Sequence, residues 1–236
     1  MTLESGIRLE SVTKHYATAA GPVRAVDGIT LEVRAGSSVA ITGPSGCGKS
    51  TLLSLLSGLE TPSAGRVWID GVEISGLPER GRSRWRRTRL GLVFQSDNLL
   101  PFLTAVENVA LQLSLQGRCN GHERSRRTLV EVGLCGHAGK LPDQLSRGQR
   151  QRVAVARALV HDPSVVLADE PTGSLDAASS VAVIDRLLAA QRETGATLIV
   201  VTHDPVVAVR LDRTLRLRDG RLAGNAAEQE LEVFRA

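Results

Sequence analysis

Long apolar runs are absent from this sequence of 236 residues. No stretch approaches the roughly 18 consecutive apolar residues that a membrane-spanning helix needs. The longest apolar stretches, 165–168 and 197–202, are short enough to be buried strands. The start, Met1-Thr2-Leu3-Glu4, has neither the basic nor the apolar segment of a signal peptide. We therefore expect a cytoplasmic protein without a transmembrane helix.

Cysteine is scarce, and the three cysteines, Cys47, Cys119 and Cys135, form no C-x-x-C pattern. An odd number of cysteines in a chain without a signal peptide argues against a disulfide framework. We expect free thiols, and at Cys47 a side chain that packs or faces solvent rather than one that reacts.

Lysine is almost absent too, since only three of the 29 basic residues are lysines. The densest run of arginines lies at 80–89. Such a run is typical of nucleic-acid or anionic-lipid binding, or of one solvated helix face. We favour the helix face, because 25 acidic residues leave a net charge of only +4 despite a pI near 9.4.

The apolar pattern predicts strands in the first part of the chain and at its end. Residues 7–42 alternate apolar and polar as strands do. Asp70-Gly71 and Asp219-Gly220 are turn signals that predict hairpins over 66–74 and 215–222.

Helices are predicted in the middle of the chain, over 105–160. The stretches 165–168 and 198–201 are wholly apolar, as in strands covered on both faces. We expect one domain over 1–236, a mixed α/β fold with a helical insertion at roughly 96–160. A further helix is expected to bury one face made of Val181, Ile184, Leu187 and Leu188.

One stretch carries a nucleotide-binding pattern: Gly43-Pro44-Ser45-Gly46-Cys47-Gly48-Lys49-Ser50 matches G-x-x-x-x-G-K-[ST]. Glycines let the backbone wrap closely, with N–H groups directed at phosphate oxygens. Lys49 brings a positive charge to the β- and γ-phosphates, and Ser50 offers a hydroxyl to Mg²⁺. A strand precedes the loop and an apolar run follows it, so a helix N-terminus adds its dipole to the site.

Polar residues follow both wholly apolar strands. Asp169 and Glu170 end the strand at 165–168, and in phosphate-loop proteins an acid in this place lies next to Mg²⁺. We assign that role to Asp169. Because side chains alternate along a strand, Glu170 points elsewhere and is a candidate general base for the attacking water. His203 ends the strand at 198–201, which predicts a contact with the γ-phosphate.

Together these residues resemble the nucleotide-binding subunit of ATP-binding cassette (ABC) transporters, and the resemblance covers nearly the whole chain. It implies a P-loop ATPase core with an antiparallel β subdomain and a helical subdomain. Seven motifs in the family's order are far more specific than any one of them. They are Tyr16 as the aromatic on adenine, Gly43 to Thr51 as Walker A, Gln95 as the Q-loop glutamine, Leu145 to Gln149 as the signature L-S-G-G-Q, Asp169-Glu170 as Walker B with its glutamate, Ser174-Leu175-Asp176 as the D-loop, and His203 as the switch histidine.

The resemblance implies an ATPase that works as a homodimer. Two subunits meet head to tail around two ATP molecules, and Walker A of one and the signature of the other hold each γ-phosphate. Glu170 orients water, Gln95 joins Ser50 and Asp169 at Mg²⁺, and Asp176 communicates across the interface. Dimer closure and reopening drive a separate integral membrane permease. The permease docks on the helical insertion near 95–115, which makes the subunit peripheral on the inner face of the cell membrane.

The signature departs from the family at one position, where Arg147 replaces the first glycine. In the family the serine and the second glycine contact the partner's γ-phosphate, and both are present as Ser146 and Gly148, followed by Gln149. We expect Arg147 to be tolerated, because a guanidinium is electrostatically compatible with phosphate. The alternative is a side chain that sterically blocks dimer closure.

Around the Q-loop and Walker B, at 93–109 and 167–176, the sequence looks most like the macrolide-export and lipoprotein-release group. Two other classes stay open. A soluble ABC ATPase acting on nucleic acid or ribosomes fits the basic pI, but the long coiled-coil insertion or second cassette of such proteins is missing. A regulatory scaffold that binds ATP without turnover is supported only by Arg147. We expect no specific nucleic-acid partner, and a short surface helix after Gly224.

Overall fold

The computed structural model describes residues 5–18, 21–118, 121–173 and 175–223. Ser174 of the D-loop, Cys119 and the helix expected after Gly224 lie outside those residues. The strands are β1 Ser5–Thr18, β2 Gly21–Arg34, β3 Ser38–Thr42, β4 Ala64–Ile69, β5 Val72–Glu73, β6 Leu90–Val93, β7 Val165–Asp169, β8 Thr197–Val201, β9 Arg213–Arg218 and β10 Arg221–Ala223.

In the described residues the helices all follow β3 along the chain, and three α-helices lie consecutively between β6 and β7. Within the described ranges, none combines the length and the apolar character that a membrane span requires. They are α1 Lys49–Leu56, α2 Glu79–Arg89, α3 Ala105–Ser114, α4 Gly121–Glu131, α5 Arg147–Leu159, α6 Ala177–Thr194 and α7 Pro205–Ala208, with a 3₁₀ helix at Pro142–Gln144.

Two sheets organise these elements. One is antiparallel with strand order β2-β1-β4-β5, and the other has the order β10-β9-β3-β8-β7-β6, in which β9, β3, β8, β7 and β6 are parallel. The two predicted hairpins are confirmed. Asp70-Gly71 joins β4 to β5 and Asp219-Gly220 joins β9 to β10, and all four residues have the positive φ that such two-residue turns require.

The parallel sheet separates two hydrophobic cores. Val165 and Leu167 of β7 pack with α1 and the antiparallel sheet, whereas Val166 and Ala168 pack with α3, α5 and α6. β8 alternates in the same way. The prediction that these strands are covered on both faces is therefore confirmed, and it explains why their sequences are continuously apolar.

Helices α3, α4 and α5 lie in the stretch predicted to be helical, and they pack in one of the two cores. On α6 the predicted apolar face is correct for Ile184, Leu187 and Leu188, which are buried, but wrong for Val181, which is 48% exposed. Val181 lies near the start of α6, where it borders an open cavity, and Val183 is buried instead.

The arginine-rich run forms α2, as the helix-face interpretation predicts. Trp85 anchors it in the core, and Arg80, Arg84, Arg87 and Arg89 are exposed. The helix is less solvated than we expect from sequence, because Arg82 and Arg86 fold back onto Glu79 at 2.7 Å. Four guanidinium groups of the run thus face solvent, and the other two pair with the Glu79 carboxylate.

A buried asparagine shapes the loop that precedes α3. Asn108 is fully buried, its Oδ1 accepts from the Leu100 N–H at 2.8 Å, and its Nδ2 donates to the carbonyls of Leu100, Leu103 and Thr104 at 2.8–3.1 Å. One side chain therefore satisfies the backbone of a whole turn that has no ladder partner.

Replacing Asn108 by alanine removes all these bonds and leaves the half-buried Leu100 N–H without its acceptor. We expect the free energy of unfolding to fall by about 1–3 kcal/mol. Urea denaturation followed by tryptophan fluorescence measures this loss. Ser114→Ala, at an exposed position of the same helix, should change stability by less than about 0.5 kcal/mol. Equal stability of the two variants would contradict the role of Asn108.

Candidate functional site

Three parallel strands deliver polar loops to one edge of the sheet. β3, β7 and β8 pair in parallel, so their carboxyl ends lie side by side, and ligands bind at this edge in open α/β sheets. The loops that leave the three strands line one cavity of about 740 Å³. The predicted site residues in its lining are Gly43, Pro44, Ser45, Gly46, Gly48, Lys49, Ser50, Thr51, Gln95, Asp169, Glu170 and His203.

The phosphate loop is held against backbone from distant parts of the chain. Gly43 and Gly48 have φ of 152° and 105°, and a Cβ on either would overlap a carbonyl oxygen, that of Leu217 or that of Ala25. Only glycine accommodates both the positive φ and the close carbonyl oxygen. Gly48 is also the N-cap of α1, so the first N–H groups of that helix open into the loop.

Lys49 and Ser50 follow in the first turn of α1. The Lys49 Nζ donates to the carbonyls of Gly43 and Pro44 at 2.8 and 2.9 Å, which keeps the ammonium over the loop. Burial raises the pKa of the Asp169 carboxyl, and a hydrogen bond with Ser50 opposes that rise. A half-buried carboxylate next to a hydroxyl and an ammonium is suited to binding a cation that shares the site with phosphates.

Glu170 and His203 form a pair at the ends of β7 and β8. The Glu170 Oε1 lies 2.8 Å from the His203 Nδ1, and the Glu170 side chain is 12% exposed against 70% for His203. Glu170 has a φ of 45°, an unusual value for a glutamate, and its N–H donates to the Val201 carbonyl at 2.9 Å. Such backbone outliers persist where the surrounding structure holds them and cluster at active sites.

Two predicted ATP-binding residues lie beside the cavity rather than in its lining. Cys47 is buried, with its Sγ 4.0 Å from the Lys49 Nζ, so its side chain packs in the interior rather than facing solvent. It is a free thiol, as is the exposed Cys135. The Tyr16 hydroxyl donates to Glu60 Oε2 at 2.8 Å, and the Lys14 ammonium lies 5.3 Å from its ring centroid. Tyr16 pairs in register with Val23, which does line the cavity.

The signature residues occupy a different surface from the phosphate loop. Ser146 caps α5, and it forms a capping box with Gln149, whose N–H donates to the Ser146 Oγ at 3.3 Å. Arg147 is exposed in the first turn of α5. The predicted site residues therefore form two groups in one chain, and Ser146, Arg147, Gly148 and Gln149 are not among the residues that line the cavity.

Asp176 of the D-loop lies next to the signature rather than in the cavity. Its side chain caps α6 by accepting from the Ser179 N–H at 2.9 Å and from the Ser179 hydroxyl at 2.7 Å. A Cβ on Gly148 would lie 2.8 Å from that same hydroxyl, so the two motifs share one surface.

Sequence analysis missed five residues that line the cavity. Val23, Arg24 and Ala25 come from β2, and Asp219 and Gly220 come from the turn between β9 and β10. The Gly220 N–H donates to the Cys47 carbonyl at 3.0 Å, and its own carbonyl accepts from Asp27 at 2.9 Å. The turn itself was predictable from Asp219-Gly220, but its contact with the phosphate loop depends on strand order and carries no local signal.

Comparison with known proteins agrees with this geometry. The ABC transporter family model matches residues 26–173. The lipoprotein-releasing system ATP-binding protein LolD of Bordetella avium is 42% identical over 94% of this chain and 97% of its own. The macrolide export ATP-binding/permease protein MacB of Syntrophobacter fumaroxidans is 44% identical over 91% of this chain, which spans 30% of that longer protein.

Solved structures agree as well. The ATP-binding cassette MJ0796, in a dimeric post-hydrolysis state bound to ADP and Pi, is 38% identical with a TM-score of 0.87, over 92% of this chain and 97% of its own. It shares the α/β P-loop architecture expected from sequence. The chain therefore belongs to the ABC transporter family and is an ATP-binding subunit that hydrolyses ATP.

Proposed function

We propose that two copies of this chain close head to tail around two ATP molecules, and that the closure drives a separate membrane permease. The observation that carries the proposal is the separation of the signature from the phosphate loop within one chain. A signature on a surface of its own completes an ATP site only if a second copy presents it. The MJ0796 structure that resembles this chain is dimeric, which supports the same arrangement.

Within each cavity the phosphate loop, from Gly43 through Thr51, cradles the ATP phosphates, and Tyr16 stands beside the base. Glu170 accepts a proton from the attacking water, and its bond to His203 holds the carboxylate in one orientation. His203, which is mostly exposed, is placed to reach the γ-phosphate. Gln95 lines the same cavity as Glu170 and His203, and it orients the water.

A magnesium ion fits this site by the chemistry of its donors. Three hard oxygen ligands border one cavity: the Ser50 hydroxyl, the Gln95 amide oxygen and the Asp169 carboxylate. Burial raises the pKa of the Asp169 carboxyl, and a neighbouring cation would stabilise its ionised form. We propose that these three hold Mg²⁺ with the phosphates. When bound, the ion neutralises charge on the transferred phosphoryl group.

The permease is proposed to dock beside the helical part of the chain, which we take as a subdomain of one ATP-binding domain. A groove of about 480 Å³ lies there, bordered by the half-exposed Leu59 and Leu115. The Q-loop segment next to it is tied to α5, because Arg150 bonds Asp97 at 2.9 Å and Arg157 donates to the Asn98 carbonyl at 2.7 Å. Force on this segment therefore reaches the helix that begins at the signature.

We propose a permease of the lipoprotein-release or macrolide-export type, with this subunit peripheral on the inner face of the membrane. The names of LolD and MacB support that type. A soluble ATPase acting on nucleic acid or ribosomes is not favoured, since no relative reported above carries such a name and the basic pI near 9.4 is its main support.

Glu170→Gln should lower ATP turnover by at least about 100-fold, because an amide of the same size does not accept the proton. Phosphate release at saturating ATP measures turnover, and a fluorescent ATP analogue tests that binding persists. Glu123→Gln, on the exposed face of α4, is the matched control. Its ATP turnover should stay within about two-fold of that of the natural protein, because exposed substitutions away from a site have small effects. Retention of more than a tenth of the turnover by Glu170→Gln would remove Glu170 as the base.

Arg147→Gly should change ATP turnover by less than about ten-fold, or about 1.4 kcal/mol of barrier. The reason is that Arg147 is exposed and the capping box that shapes the signature uses Ser146 and Gln149 instead. Gly148→Ala provides the contrast, since its methyl group presses on the Ser179 hydroxyl, and it should lower turnover more. A rise of ten-fold or more in Arg147→Gly would mean that the arginine obstructs closure.

The permease is tested by capture from detergent-solubilised membranes of the native host. Tagged Glu170→Gln protein with ATP and Mg²⁺ is the bait, because blocked hydrolysis should hold the closed dimer. We expect a multi-span membrane protein in stoichiometric amount, and less of it with ADP. Recovery of ribosomes or nucleic acid without a membrane protein would overturn the transporter proposal.

A further inference from the structure

A histidine outside the recognised motifs contacts the signature glutamine. His137 lies in the loop between α4 and the 3₁₀ helix, and its Nε2 is 3.1 Å from the Gln149 Nε2. Its other ring nitrogen, Nδ1, is 3.0 Å from the Cys135 carbonyl oxygen. Both ring nitrogens are therefore engaged, one by the backbone of its own loop and one by the signature.

The chemistry of the partners decides the direction of each bond. A carbonyl only accepts, so the His137 Nδ1 carries the hydrogen and donates to Cys135. In a neutral ring the Nε2 then accepts, and the Gln149 amide nitrogen donates to it. The Gln149 Oε1 is left to accept from the Ser146 N–H, at 2.9 Å. This arrangement of donors and acceptors holds the Gln149 amide in one of its two flip states.

The same arrangement of donors and acceptors leaves the hydroxyl hydrogen of Ser146 available. The Ser146 Oγ accepts from the Gln149 N–H at 3.3 Å, so its own hydroxyl hydrogen is not used in the capping box. A reversed Gln149 amide would direct its NH₂ group at the Ser146 N–H, two donors facing each other, and would open the cap. The orientation of the signature serine thus depends on the acceptor at His137 Nε2.

The loop that carries His137 is itself fixed. The His137 N–H donates to the Leu134 carbonyl at 3.1 Å, and the carbonyls of Ala138 and Lys140 accept from Val106 and Ala105 at 2.9 and 2.8 Å. Ala105 and Val106 form the first turn of α3. The backbone that carries His137 is therefore anchored to the start of the neighbouring helix.

We propose that His137 is a positioning residue for ATP hydrolysis, which holds Gln149 so that Ser146 is oriented toward the phosphate of the partner's ATP. The inference rests on the proposed head-to-tail dimer. It assigns to a loop of the helical part of the chain a direct influence on the site completed by the second copy, without any contact of His137 with ATP.

Two variants separate this role from general support of the fold. His137→Gln keeps a hydrogen-bond acceptor at the position of Nε2, whereas His137→Asn keeps a polar group only at the position of Nδ1. We expect His137→Asn to lower kcat about three- to ten-fold, the effect of one lost hydrogen bond. His137→Gln should restore kcat to within about two-fold. ATP binding to the monomer, through the phosphate loop, should be equal in both.

The same pair is then compared in the Glu170→Gln background, with ATP-dependent dimer formation measured by sedimentation. His137→Asn should weaken the dimer and His137→Gln should not. Equal kcat for His137→Asn and the natural protein would overturn the positioning role, and so would an equal loss in both variants with a lowered melting temperature. If Glu170→Gln alone forms no dimer with ATP, the proposed function fails and this inference falls with it.

Discussion

The parallel pairing of β3, β7 and β8 is the constraint on which the rest of the site depends. Parallel strands end at the same edge, so the phosphate loop, the Asp169-Glu170 pair and His203 meet there although more than a hundred residues separate the first from the last. The strands of this parallel sheet are buried on both faces, so they need helices on one side and the antiparallel sheet on the other. Binding and fold stability therefore share the same strands.

A second constraint acts on the loop after β3. Gly43 and Gly48 approach the carbonyls of Leu217 and Ala25 too closely for any side chain, so strands β9 and β2 determine where the loop runs. The turn at Gly220 adds a hydrogen bond to Cys47. The glycines of the motif thus serve two purposes, since the backbone that is open to phosphate on one side is packed on protein backbone on the other.

The signature raises a different physical question, because its residues are organised away from the cavity. The start of α5 is held by a capping box, by its shared surface with Asp176 and Ser179, and by His137 through Gln149. None of these contacts uses the Arg147 side chain. A cation at this position is compatible with the local fold, because the side chain is exposed and the hydrogen bonds that shape the signature come from other residues.

What the sequence by itself determined were features that depend on near neighbours. Glycine spacing, turn dipeptides and apolar periodicity predicted the phosphate loop, both hairpins, the buried strands and the helical stretch, because each is set within a few residues. Tertiary structure alone decided that Val23 and Gly220 border the cavity at the phosphate loop, that Val181 is exposed, and that His137 contacts Gln149. Those outcomes depend on which strands and helices become neighbours. A contact between residues that are distant in sequence produces no local or periodic pattern from which it could be predicted.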